Sequence, residues 1–317
     1  MTELATIDSA IFNAEKGDYG DSRLFLGEPR GLLDTVNDPH PKLWGFWRSL
    51  RGLDWDTNEF DFNPCLLEFK TTDKEEMGVA QAMIQNLGWQ WEGDTVAANS
   101  IMAVGNHFVT SSALKVVWDQ IVANENLHAT TYSEIVRYSF DAPNDVLNQV
   151  LGIKEAMARM DTISRVMGEC YRVGLKVSLG MIDRESEEAY RAAFMFTVCL
   201  FLLERVHFMG SFAVTGAIAQ TGYFMPICQA VQRIAQDEAE IHVNVGKYVI
   251  QYEMSTPRGR ACWKENRQLI DDMMLEVRAS EMRWRNFQRD SGSIVPGVGW
   301  DEIGSYINFN CADAMDV

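Results

Sequence analysis

The sequence predicts an all-α fold, a bundle of long helices, and three observations carry that expectation. Prolines are scarce, eight in 317 residues, and none falls between Pro64 and Pro143. Apolar residues recur at helical spacing over stretches longer than 25 residues, which suits a bundle better than a mixed α/β domain. No strand-turn-strand rhythm interrupts them.

The elements follow in order. The first 65 residues carry Pro39, Pro41 and Pro64, several glycines and many aromatics, and read as an irregular wrap with short helices. Thr72-Asp73-Lys74-Glu75 has the form of a capping box opening an apolar-periodic segment. Helices are expected near 72–96, 100–140, 143–176, 186–217, 224–252, 257–289 and 300–313. No repeat, low-complexity tract or linker divides them. The expected organisation is one domain over 1–317, with 1–65 packed on it.

Composition excludes several classes. Apolar residues at 47% and charged residues at 23% describe a globular chain, neither disordered nor fibrous. The net charge of −17 argues against nucleic acid or an anionic membrane as partner, since both are polyanions. The longest strongly apolar run, Ala192–Leu203, has twelve residues, short of the roughly 20 that span a bilayer. No basic-then-apolar leader opens the chain. Cys65, Cys170, Cys199, Cys228, Cys262 and Cys311 are scattered without a CxxC, which fits buried reduced thiols and a cytoplasmic location. There is no GxxxxGK[ST] loop, strand-embedded GxGxxG or GxSxG elbow.

The chemistry-bearing pattern lies elsewhere. Of five histidines, three sit near glutamates on expected helices. Glu125-Asn126-Leu127-His128 and Glu204-Arg205-Val206-His207 are both Glu-x-x-His, and Glu238 precedes His242 by four. Residues three or four apart share a helix face. For one such pair, a solvated polar face is the ordinary explanation. The set points further: di-iron carboxylate bundles draw a carboxylate from each of two helices and a Glu-x-x-His from each of two more. Iron and manganese accept carboxylate oxygen and imidazole nitrogen. Glu204 interrupts an apolar stretch, a costly position for a carboxylate lacking a cation. Tyr132, seven residues after Glu125 and four after His128, projects to the same side of its helix at about 100° per residue. Beside a metal pair it is a candidate for oxidation to a radical; alone it reads as a core tyrosine.

These segments resemble the small (beta) subunit of class I ribonucleotide reductase, of bacterial and phage type. ENLHATTY (125–132) is similar to that family's Glu-x-x-His-x-x-x-Tyr segment, and NLGWQWEGD (86–94) to the one ending in its first aspartate ligand. The 35 residues from Glu204 to Glu238 resemble the family segment without gaps, and IAQDEAEIH (234–242) resembles its last ligand motif. LDWDTNEFD (53–61) resembles its Trp-x-x-x-Glu-x-Asp segment, and QRDSG (288–292) a further family segment. The likeness covers roughly residues 22–313.

The resemblance implies a ferritin-like di-metal carboxylate bundle with extra helices. Asp94, Glu125 and His128 would bind one metal, and Glu204, Glu238 and His242 the other, with Glu125 and Glu238 bridging. Tyr132 would carry a radical inside an apolar pocket of Phe208, Phe212 and Ile234. Trp55 and Asp237 would join His128 in a relay. The cofactor would be two iron ions, manganese being the alternative. The partners would be a large (alpha) subunit that reduces ribonucleotides, a second copy in a homodimer, O2 and an electron donor.

Two departures stand out. The family usually spaces its last Glu and His by three; here the spacing is four, and Ala239 occupies the three-residue position. Either Glu238 and His242 share a face at four apart, or a π-bulge absorbs one residue; His207 is the rival ligand, although the ungapped match favours His242. The segment GWDEIGSYINFNCADAMDV resembles a helix that precedes a docking tail in the family; a second chain supplying that tail is one expectation. Three rivals remain: a related di-metal oxidase acting on an apolar ligand, a metal-storage shell, and a scaffold without metal. The Tyr132, Trp55 and Asp237 set separates the first reading from the oxidase; length, the N-terminal wrap and the apolar cluster around Tyr132 speak against storage, and the scaffold predicts no stoichiometric metal.

Overall fold

In the computed structural model the described residues are 12–13, 23–28, 31–70 and 74–317. Thr72 and Asp73 of the expected capping box at 72–75, and much of the first 30 residues, lie outside them. Among the described residues the structure is helical, and the sole β pairing is an isolated antiparallel bridge between Phe25 and Val109. Short helices α1 (Pro41–Gly52) and α2 (Asn63–Lys70) flank a 3-10 turn at Thr57–Glu59. That turn opens with a capping box: Asp56 accepts from the Asn58 backbone while the Asp56 N–H donates to Glu59 at 3.0 Å. Two backbone donors are satisfied reciprocally, and Trp55 is thereby held at the turn's entrance.

Four long helical rods follow. The first two are α3 (Lys74–Ala103) and α4 (Ser112–Ser139), the latter capped by Ser111, whose hydroxyl accepts from the Leu114 N–H. The sequence places their boundary near 97–99. Instead α3 runs on through an apolar-periodic stretch, and the break falls at 104–111, where a 3-10 turn (Gly105–His107) precedes the Ser111 cap. The expected helix 143–176 is divided into α5 (Pro143–Leu151), α6 (Lys154–Arg159) and α7 (Asp161–Ser178), the first ending at Gly152.

The third rod joins α8 (Glu187–Leu202), a π turn (Leu203–His207) and α9 (Phe208–Ala219). The fourth joins α10 (Met225–Asp237), a π turn (Glu238–His242) and α11 (Val243–Ser255). Then α12 (Pro257–Asp290), with Pro257 in its first turn and Thr256 as cap, packs along the bundle with α13 (Trp300–Met315). The third rod, taken as one helix of 33 residues, is long and apolar enough to cross a membrane, which the twelve-residue run alone did not suggest; 94% of its most apolar window is buried inside the protein, as in a core helix. Buried apolar residues from Leu24 to Ala314 form a continuous cluster around these rods.

Candidate metal centre

The four rods converge on a cluster of buried acids and imidazoles. α3 contributes Asp94, α4 contributes Glu125 and His128, the third rod contributes Glu204, and the fourth contributes Glu238 and His242. Each is buried. Asp94, Glu125, His128 and Glu238 offer one ligand atom each within 4.8 Å of one another, and so do Glu125, Glu204, Glu238 and His242. Glu125 and Glu238 belong to both sets. The two π turns sit at Glu204 and at Glu238–His242, so the one-residue surplus in the second is absorbed by a wider turn. Both repairs of the spacing hold together there, since Glu238 Oε2 lies 2.9 Å from His242 Nδ1.

The imidazoles aim one nitrogen inward. His128 Nδ1 is 3.2 Å from Glu238 and 3.8 Å from Asp94, and His242 Nδ1 is 3.1 Å from Glu125. These approaches lack hydrogen-bond alignment: both oxygens of Asp94, Glu125, Glu204 and Glu238, and Nδ1 of both histidines, have no hydrogen-bond partner. Buried acceptors without donors are costly. Four carboxylates and two imidazoles converging in this way fit two divalent cations held by oxygen and nitrogen.

Electrostatics in the protein alone show the same tension. Burial pushes the Asp94 carboxyl well up, and the neighbouring Glu125 adds to it; burial and Glu238 do the same to Glu204. Burial works against charge on His242, but Glu238 and Glu125 outweigh it and hold the imidazole up at about 9. Burial likewise opposes charge on His128, where the bond to Asp237 prevails and raises it. Glu238 is held low because both histidines outweigh its burial.

Around the cluster the predicted residues separate into two groups. Asp237 Oδ2 accepts from Trp55 Nε1 at 2.8 Å and lies 3.1 Å from His128 Nε2. The Trp55 and His128 rings stack 6.0 Å apart, 15° from parallel. Tyr132 is completely buried; burial first, then the charge of Asp94 beside it, pushes its hydroxyl well up. Phe208 and Ile234 are fully buried, while Phe212 is half-buried and stacks on Phe208 at 5.9 Å. An alanine at Gly93 would set its Cβ 2.7 Å from Phe208 Cζ, so the residue before Asp94 provides the seat for that ring.

His207 stands outside the cluster. Its Nδ1 lies 2.6 Å from Glu281 Oε1, and Arg159 binds the same carboxylate through Nε and Nη2 at 2.5 and 2.6 Å. Arg159 also donates to the His207 carbonyl at 2.8 Å and covers the Trp89 ring at 3.8 Å. Sequence reasoning missed this buried trio, because Arg159 and Glu281 lie 122 residues apart. It also missed Asn124. That amide donates to Asp237 Oδ2 at 3.0 Å, and its Oδ1 is 2.9 Å from His242 Nε2. Its placement four residues before His128, on the same helix face, was the available signal.

Residues 35–316 match the family described as ribonucleotide reductase, small chain. The chain belongs to that family. Among its relatives, the ribonucleoside-diphosphate reductase subunit beta of Enterobacteria phage T4 is 20% identical, covering 97% of this chain and 84% of the relative. The ribonucleotide reductase R2 subunit from Clostridium botulinum superposes with a TM-score of 0.76 at 17% identity, covering 99% of this chain and 92% of that one. An R2-like ligand-binding oxidase with a reconstituted Mn/Fe cofactor superposes with a TM-score of 0.61 at 14% identity, covering 89% and 94%. At such identities the superpositions show the shared ferritin-like fold alone.

Proposed function

We propose that this chain is the radical-generating small subunit of a ribonucleoside-diphosphate reductase. The observation that carries the reading is the buried Trp55–Asp237–His128 connection meeting the acid–imidazole cluster beside Tyr132. Asp94, Glu125 and His128 would hold one cation and Glu204, Glu238 and His242 the second, with Glu125 and Glu238 shared. Two iron ions are the proposed cofactor, with manganese the alternative. When bound and reduced, the pair supplies the redox power that activates O2.

The protein's own residues do the rest. Tyr132 would give up one electron to the O2-oxidised cofactor and its phenolic proton to Asp94, whose charge acts on that hydroxyl. Complete burial keeps water and stray reductants away from the oxidised ring. Asp237 fixes the His128 ring through Nε2, leaving Nδ1 for the cation, and holds the indole of Trp55 against it. Trp55 is the exit toward the partner. That partner would be a large subunit carrying the nucleotide site, joined by a second copy of this chain and an electron donor. We assign residues 1–317 to one domain, with 1–65 as its wrap, and a cytoplasmic location.

A second reading has its own observation. A narrow gap of about 10 Å³, lined by Trp118, Ile121, Leu200, Phe201 and Val249, reaches Glu204 and His242; it has the size of one water, so a di-metal oxidase acting on an apolar ligand would have to widen it. The deciding experiment adds ferrous iron and oxygen to metal-free protein and combines metal analysis with paramagnetic resonance. Two metals per chain and a tyrosyl signal are expected. Two metals without any tyrosyl signal would favour the oxidase, and no stoichiometric metal would defeat both.

A further inference from the structure

Asn124 touches neither Tyr132 nor the inward faces of the six candidate ligands, yet it is buried between Asp237 and the outer nitrogen of His242. Its two polar atoms are both used. Nδ2 donates to Asp237 Oδ2, and Oδ1 lies 2.9 Å from His242 Nε2. An amide oxygen accepts only, so His242 must carry its proton on Nε2. That leaves the Nδ1 lone pair facing Glu125 and Glu238. On the other side, Asp237 Oδ2 gathers the Trp55 indole, the Asn124 amide and the His128 imidazole. The carboxylate fixes the tautomer of His128 as the amide fixes that of His242. The two histidines, rings 5.9 Å apart and 26° from parallel, are thus held by one continuous chain of hydrogen bonds.

We propose that Asn124 is a positioning residue that orients His242 for the second cation and ties that site to the Trp55–Asp237–His128 arm. The proposal rests on the di-metal reading above. A serine or alanine in this place could not reach both neighbours. The amide spans them because it offers a donor and an acceptor on one planar group. Removing such an outer partner commonly weakens metal binding about 10- to 100-fold. Here the loss should fall on one site, because His128 keeps its own acceptor in Asp237 whereas His242 loses its only one.

The test is manganese(II) binding to metal-free full-length chain, followed by paramagnetic resonance, in the wild type, Asn124→Ala and Asn124→Asp. The wild type is expected to bind two ions. Asn124→Ala should bind the first ion as the wild type does and the second at least tenfold more weakly. Asn124→Asp, protonated on the oxygen that faces Asp237, keeps a donor and an acceptor in the same two places and should restore the second step. Equal weakening of both steps in Asn124→Ala, or no weakening, would overturn the positioning role. Failure of Asn124→Asp to hold the second ion would overturn it too, even if the alanine variant does not fold. A wild type that binds no manganese would instead overturn the di-metal reading.

Discussion

Replacing Arg159 by methionine should destabilise the metal-free protein by about 3–5 kcal/mol, the usual cost of stranding one partner of a buried ion pair. The structure puts this case at the severe end. Arg159 and Glu281 are each 1% exposed, so water cannot replace the lost bonds. Two charge-assisted bonds to the carboxylate vanish, along with the bond to the His207 carbonyl and the stacking over Trp89. Glu281 would keep only the His207 imidazole. Against a typical total stability of about 5–15 kcal/mol, the loss is large. The pH dependence adds a sign. Burial tends to raise the Glu281 carboxyl, but the charges of Arg159 and His207 outweigh it and hold it below the ordinary 4.5. The folded state then binds fewer protons than the unfolded one, so this contribution is present above pH 4.5 and fades as pH falls through the depressed value. In Arg159→Met burial dominates and raises the carboxyl, so stability should decline as pH rises past 4.5. Urea titrations followed by circular dichroism at several pH values measure both effects. Arg159→Met/Glu281→Leu should recover part of the loss, retaining about 1–3 kcal/mol for the unpaired imidazole. A single variant costing under about 1 kcal/mol, or a double variant no better than the single, would refute the reasoning.

Other substitutions bear on the centre directly. Tyr132→Phe should retain two metals per chain while losing the radical signal and reductase activity with the large subunit; full activity would remove the radical role. His242→Ala should impair one metal equivalent by metal analysis and His207→Ala neither, since His207 is engaged with Glu281; the reverse pattern would move the ligand role. Gly93→Ala should cost about 1–3 kcal/mol in thermal unfolding, because Phe208 is fully buried and has no free space to yield. Gly45→Ala, in α1 with nothing within 4 Å of the new carbon, should be neutral or stabilising and serves as control.

Much of the bundle was legible because its information is local. Periodicity and scarce prolines marked four of the seven expected helices, 186–217, 224–252, 257–289 and 300–313, near their observed ends. The exceptions are instructive. Nothing between 97 and 103 breaks the apolar period, so the α3–α4 boundary had to wait for Ser111, a cap recognisable only once the geometry shows its bond to Leu114. Division of the 143–176 stretch falls at one glycine, Gly152, and at Met160, which carries no break signal. The six acids and imidazoles could be proposed from spacing and resemblance, since both act along the chain. Their convergence, and the choice between His242 and His207, depended on contacts between distant segments. Glu281 occupies His207 from 74 residues away, and no local pattern announces that.

The wider turn at Glu238–His242 changes how this helix should be compared with its relatives. In an α-helix, residues four apart overshoot a full turn by about 40°. Closing the backbone bonds one residue later turns the chain less per step, bringing such a pair back toward alignment. An added residue can therefore enter between two coordinating side chains without redirecting either. A search template that fixes their separation at three would pass over this chain, though its side chains meet.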